Sequence, residues 1–184
     1  MDWNEYKKII QELLESLKFD KEILDILKNS IKNNQTIFII GNGGSGATAS
    51  HYACDLSKGA VKNWEENYDR YKIIPLTTNM PYLLAIANDT DYSEIFKQQL
   101  INLGRPNDIL IAISTSGKSE NIIKAVEYAN ENGIITIGIS GFDGGKLKKI
   151  VKYNVHVKSD CMEAIEDIHS IFGHFLAVYL RDIS

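Results

Sequence analysis

The sequence predicts an α/β fold: a five-stranded parallel sheet covered by helices on both faces, with an N-terminal helical pair ahead of it. Three observations carry this. Five short strand-like segments, at 36–40, 71–76, 109–113, 134–139 and 153–157, alternate with segments whose apolar residues recur at helical spacing. The first run, 36–40, is too hydrophobic to be half exposed, as expected of a strand buried on both faces of a parallel sheet. The links between the segments are short, and strands alternating with helices on short loops pair in parallel through helical crossovers.

The elements follow in order. Residues 4–18 read as an amphipathic helix with Tyr6, Ile9, Ile10, Leu13, Leu14 and Leu17 on one side. Residues 20–31 read as a second helix, with Asp20 as its cap and Ile23, Leu24, Ile26, Leu27 and Ile31 as its face. These faces must be covered by the chain's own sheet or by another subunit, and subunit contacts through residues 1–34 are the favoured reading. The first strand stops at Gly41, and a helix over 45–57 follows. Residues 59–70, with Gly59, Trp64, Glu65 and Glu66, lack periodicity and read as a loop. The second strand ends at Thr77, Thr78 and Asn79. Pro81 suits the first turn of a helix carrying Leu83, Leu84 and Ile86, which Asn88, Asp89, Thr90 and Asp91 interrupt. A helix over 92–103 presents Ile95, Phe96, Gln99 and Leu100. Further helices cover 120–132, closed by Gly133, then 146–150 and 162–181.

With 184 residues, 44% of them hydrophobic and 24% charged, the chain suits one globular domain, 1–184, with a sizeable core. A net charge of −4 and the lack of a long basic tract argue against nucleic acid as a partner. Met1 is followed by Asp2, Trp3, Asn4 and Glu5 rather than a basic and then apolar leader, so no signal peptide is expected. The apolar runs fall far short of a membrane span. Cys54 and Cys161 stand outside any CxxC spacing and are read as reduced thiols of a cytoplasmic protein.

Two strand ends carry turns dense in glycine and hydroxyl groups: Gly41-Asn-Gly-Gly-Ser45 and Ser114-Thr-Ser-Gly-Lys-Ser119. Open α/β sheets bind ligands at the carboxyl ends of their strands. There, glycines let the backbone approach and the free N–H groups of a helix start face an anion. Helix capping alone would explain one such turn; two in one small domain favour a phosphate site. The glycine spacing matches neither GxGxxG nor a Walker A loop, which disfavours dinucleotides and nucleoside triphosphates.

His51 and Asp55 are four apart, on one face of the helix behind the first turn. The C-terminal helix adds Glu166, Asp167, His169 and His174, while His156 falls in a strand. Two histidines with two carboxylates suit Zn2+ or a similar divalent ion, or acid–base chemistry without one. Glu166 and His174 lie about 12 Å apart along a helix and roughly 80° around it. Either one of them acts elsewhere in the site, or the site takes residues from more than one chain.

Together the glycine turn, His51-x-x-x-Asp55, the serine turn, and the Glu166-Asp-x-His169 and His174 helix resemble the phosphoheptose isomerases of the sugar isomerase (SIS) superfamily, in order and over nearly the whole chain. The resemblance implies a SIS, flavodoxin-like sandwich. It implies a cytoplasmic homotetramer with active sites at subunit interfaces and one zinc ion, or a similar divalent metal, per site. It implies conversion of D-sedoheptulose 7-phosphate to D-glycero-D-manno-heptose 7-phosphate through a metal-assisted enediol, the first step toward heptose in lipopolysaccharide or capsule. By motif, Asn42, Gly43, Gly44, Ser45, Asn88, Asp89, Ser114, Thr115, Ser116 and Ser119 would bind substrate and phosphate. His51, Asp55, Glu166 and His174 would hold the metal, with Asp55, Glu166 and His174 also catalytic. The chain departs from the family pattern at Asp55, where glutamate is usual, at Glu166, where glutamine is usual, and at Asn79, where an acidic residue is frequent. Two other readings stand beside this one: a binding module of the same fold for a sugar phosphate or a partner protein, and an isomerase of a different phosphosugar.

Overall fold

The computed structural model describes residues 1–62 and 69–183, so Trp64, Glu65 and Glu66 of the expected 59–70 loop lie outside the described residues. Five strands run parallel as expected: β2 (Thr36–Gly41), β3 (Lys72–Pro75), β4 (Ile109–Ser114), β5 (Ile135–Ser140) and β6 (Tyr153–His156). A sixth, β1 (Lys18–Phe19), adds an antiparallel edge, giving the order β1-β6-β5-β4-β2-β3. Two residues are too few to show a period, so this edge strand was invisible in the sequence. It also corrects the role of Asp20. Its N–H donates to the Asn154 carbonyl at 3.0 Å, and its Oδ2 accepts from the Asn154 N–H at 2.7 Å. Asp20 therefore fastens β1 to β6, and α2 (Glu22–Asn29) starts without a side-chain cap.

Odd- and even-numbered strand residues face opposite sides of the sheet, and both sides are covered. On one side Ile37, Ile39, Ile111, Ile113 and Ile139 pack with α2, α3 (Gly43–Cys54) and α8 (Met162–Ile183) through Leu27, Tyr52, Phe172 and Leu176. On the other, Phe38, Ile40, Leu110 and Ala112 meet α5 (Lys97–Leu103), α6 (Glu120–Glu131) and α7 (Leu147–Ile150) through Leu100, Ile122, Val126 and Leu147. Burial on both faces is why these strands read as unbroken apolar runs.

Helix α1 (Trp3–Ser16) begins in a capping box between Asp2 and Glu5. Tyr6, Ile9, Ile10, Leu13 and Leu17 pack against Val157, Ala164, Ile165 and Ile168, so its apolar face is seated on the chain's own α8. Trp3 and Leu14 stay exposed. The segment expected as one helix over 92–103 is a 3-10 turn, Tyr92–Glu94, followed by α5. Asp91 caps that turn, accepting from the Ser93 N–H at 2.7 Å. Helix α4 (Met80–Asp89) is capped by Asn79, whose Oδ1 accepts from the Tyr82 N–H at 3.3 Å. Among the described residues, no helix is long and apolar enough to cross a membrane.

Candidate active site

Strands β2 and β4 are neighbours, with Gly41 level with Ile113, so their carboxyl ends put the glycine and serine turns side by side. Ser45 Oγ lies 3.4 Å from Thr115 Oγ1 across the two turns, and Ser114 Oγ lies 3.4 Å from Ser119 Oγ within the second. Ser116 Oγ accepts from the Lys118 N–H at 3.2 Å, which curls the serine turn. Helices α3 and α6 both begin here, so two sets of unpaired N–H groups and two helix dipoles favour an anion at one place. A side chain at Gly41 would strike the Ser45 carbonyl, and Gly117, at φ +62°, packs directly on the Gly144 carbonyl. Glycine is required at both for the turns to close.

Asn42, expected as a substrate ligand, has its side chain occupied. Its Nδ2 donates to Asn121 Oδ1 at 2.8 Å, and its Oδ1 accepts from Asn121 Nδ2 at 2.8 Å and from the Tyr92 hydroxyl at 3.1 Å. Asn88 and Asp89 sit exposed at the end of α4, with Asn88 Nδ2 donating to Asp89 Oδ1 at 2.8 Å. Behind the glycine turn, a cavity of about 440 Å3 is walled by Ala47, Ser50, Thr77, Leu83 and Tyr92 among others.

His51, Asp55 and His174 do come together. His51 Nε2 is 3.3 Å and His174 Nε2 is 3.5 Å from Asp55 Oδ2, and the two imidazoles meet edge to face at 5.0 Å. Three local features build this. Helix α3 gives way at Asp55 to a π-helical turn, Asp55–Gly59; such turns recur at functional sites. That turn lies against α8, where a Cβ at Gly59 would come 3.8 Å from the Ala177 Cβ. Gly173, having no side chain, leaves the room that the Tyr52 ring fills against α8, and the Tyr52 hydroxyl donates to the His169 carbonyl. Tyr52 and Gly173 stand next in sequence to His51 and His174, so this close contact brings the two histidines together.

The expected four-residue set is not assembled within one chain. Glu166 lies two turns earlier on α8, beside Gly44, where a Cβ would come 2.9 Å from its Oε2. Its carboxylate thus rests against the first turn of α3, separated from His174 by the rise of the helix. His169 is not at the site at all. It is buried at 1% exposure, neither ring nitrogen has a partner, and burial pushes its pKa down to about 4. The backbone of Ser140 partly offsets this without closing a hydrogen bond to either nitrogen. His156 donates to or accepts from Ser140 Oγ at 3.2 Å, and burial lowers its pKa too.

The ligand atoms of His51, Asp55 and His174 all lie within 4.8 Å of one another, and two imidazoles with one carboxylate match the donor set of a catalytic Zn2+ site with a position left open. Sequence reasoning missed Asn121 and Tyr92. Asn121 stands only two residues beyond the serine turn, a signal available in hindsight; nothing local singles out Tyr92.

Residues 4–141 match the family model described as SIS domain. The chain is 40% identical to the phosphoheptose isomerase of Thermodesulfovibrio yellowstonii over 92% of this chain and 82% of that one. It is 38% identical to that of Campylobacter jejuni, over 95% and 92%. The structure of phosphoheptose isomerase from Neisseria gonorrhoeae superposes with a TM-score of 0.85 at 29% identity, covering 98% of this chain and 95% of that one. That of Francisella tularensis superposes at 0.86 with 27% identity, covering 98% and 94%. The chain belongs to the phosphoheptose isomerase family of SIS-domain proteins.

Proposed function

We propose that this protein is an aldose–ketose isomerase that converts D-sedoheptulose 7-phosphate to D-glycero-D-manno-heptose 7-phosphate. The observation that carries the reading is the pairing of a two-turn anion cradle with the His51–Asp55–His174 triad in one small domain. Family membership supplies the sugar. The hydroxyls of Ser45, Ser114, Ser116 and Ser119, with the N–H groups opening α3 and α6, hold the phosphate without a charged side chain.

The reaction moves one proton between neighbouring carbons. A base removes a proton from C1 of the ketose, giving a cis-enediol with C2. The proton returns to C2 as the hydroxyl proton on O1 passes to O2. Asp55 is the base: its Oδ2 is oriented by two imidazoles, leaving its other oxygen for the carbon-bound proton. His174, exposed beside it, would carry the proton between the oxygens through Nδ1, the ring nitrogen that is not turned to Asp55. Glu166, at the position where the family pattern has glutamine, orients the sugar at the cradle and is not needed as an acid. Zn2+ held by His51, Asp55 and His174 would supply Lewis-acid stabilisation of the negative charge that develops on the substrate oxygens.

The assembly belongs to the same reading. Ile171, Phe175 and Val178 form an exposed apolar stripe on α8 next to His174, and Trp3 adds exposed apolar area on α1. A homotetramer that covers them would place each site at a subunit boundary. The test is a set of three variants assayed for isomerisation of the ketose phosphate. Asp55→Asn and His174→Ala are expected to lower kcat by at least about 100-fold, within the range general acid–base groups supply, while Glu166→Gln keeps kcat within about tenfold. Loss of turnover in Glu166→Gln with Asp55→Asn active would reverse the assignment.

A further inference from the structure

We infer that Asn121 is a positioning residue for the phosphate cradle, acting through Asn42; this rests on the cradle reading above. Asn121 is 2% exposed, on the first turn of α6. Its amide exchanges two hydrogen bonds with the Asn42 amide, each of 2.8 Å, and its Oδ1 also accepts from the Ile122 N–H at 2.9 Å. Asn42 is the residue that turns the chain from β2 into α3, and Asn121 sits just inside α6. The pair therefore ties together the starts of the two helices whose N–H groups form the cradle. The hydroxyl contact of Ser45 with Thr115, at 3.4 Å, is too long to fix that spacing alone.

The same face of α6 holds a third segment. One turn on, Lys124 Nζ donates to Ser93 Oγ at 2.6 Å and pairs with Glu94 Oε1 at 3.0 Å. The adjacent Tyr92 hydroxyl closes on Asn42 Oδ1. The turn that follows Asn88 and Asp89 is thereby clamped to α6 on one side and to the glycine turn on the other. Both polar atoms of the Asn42 side chain have partners inside the protein and only the second N–H of Nδ2 is left over, so the amide chiefly serves geometry.

A purely structural amide pair would alter stability and leave ligand affinity alone. A positioning pair sets the distance between two donor sets, so its loss weakens phosphate binding while the proton-transfer groups stay in place. The experiment measures KM and kcat for the ketose phosphate, and the Kd for inorganic phosphate by calorimetry, in Asn121→Ala, Asn42→Ala and the double variant, with thermal melting as the control. Asn121→Ala is expected to raise KM and the phosphate Kd by about tenfold, one lost buried hydrogen-bonded pair, with kcat within about twofold. The double variant should lose no more than Asn42→Ala alone, which removes the shared pair together with the Tyr92 contact. Asn121→Asp, which keeps the acceptor for Asn42 Nδ2 and adds a negative charge, should bind phosphate more weakly than Asn121→Ala. Unchanged phosphate Kd and KM in folded Asn121→Ala, or additive effects in the double variant, would overturn the inference. If the wild-type protein binds phosphate but turns over no ketose phosphate, the isomerase reading fails and the phosphate Kd series still decides the role of Asn121.

Discussion

His174 and Asp55 face one another at 3.5 Å because Gly173, next to His174, and Tyr52, one turn before Asp55, allow two helices to touch. The contact leaves no room for a side chain: a Cβ on Gly173 would enter the buried Tyr52 ring, whose hydroxyl is held by the His169 carbonyl. Site geometry and core packing are one feature here.

Gly173→Ala should therefore cost about 3 kcal/mol of stability through overpacking and weaken zinc binding in the fraction that folds. Urea unfolding and zinc titration measure the two effects. A variant with wild-type stability would show that α3 and α8 can part without consequence.

Gly44→Ala should behave differently. The atoms nearest to its Cβ belong to the free end of the Glu166 side chain, at 2.9 Å and beyond. The fold should tolerate it within about 1 kcal/mol, as for changes that meet a flexible group, but Glu166 must move from the first turn of α3. KM for the sugar phosphate should rise with little change in melting temperature. Equal KM values would show that Glu166 does not orient the sugar.

Zinc affinity should sort the candidate ligands. Removing His51, Asp55 or His174 one at a time by alanine should weaken binding at least 100-fold, since loss of even an outer-sphere partner costs about 10–100-fold. Glu166→Ala should lie within about tenfold of wild type if the triad is the main donor set. Equilibrium dialysis with metal analysis reads this directly. A loss in Glu166→Ala as large as in His174→Ala would mean that Glu166 joins the metal, by extending toward it or from a second subunit.

Most of the framework was legible in the sequence. The central strands β2, β4 and β5 announce themselves because burial on both faces makes them almost continuously apolar, and His51 and Asp55 share a face by simple helical spacing. Three things were not legible, each because it depends on a partner distant in sequence. The edge strand Lys18–Phe19 exists by pairing with His156 and Val155. The Asn42–Asn121 amide pair needs β2 and β4 to be neighbours. The separation of Glu166 from the triad depends on where α8 crosses α3, although the helical rise already raised the problem. His169, which spacing placed with the acidic residues of α8, turns inward instead.

That buried histidine gives a pH prediction. Its folded pKa is held at about 4 against an ordinary 6.5. As pH falls below 6.5 the unfolded chain takes up a proton that the native protein refuses until about 4, so stability is lost across that window, by up to roughly 3 kcal/mol. His169→Leu, which removes two unpartnered ring nitrogens, should flatten the slope of unfolding free energy between pH 6.5 and 4. An unchanged slope would assign the pH dependence to other groups.

The central claim is the chemistry at the triad. The most direct measurement incubates the purified, zinc-loaded protein with D-sedoheptulose 7-phosphate and follows the aldose by NMR. The account predicts growth of the D-glycero-D-manno-heptose 7-phosphate signals to equilibrium, abolished in Asp55→Asn. Zinc-loaded, folded protein that leaves the ketose unchanged would contradict it and favour a sugar-phosphate binding module on the same fold.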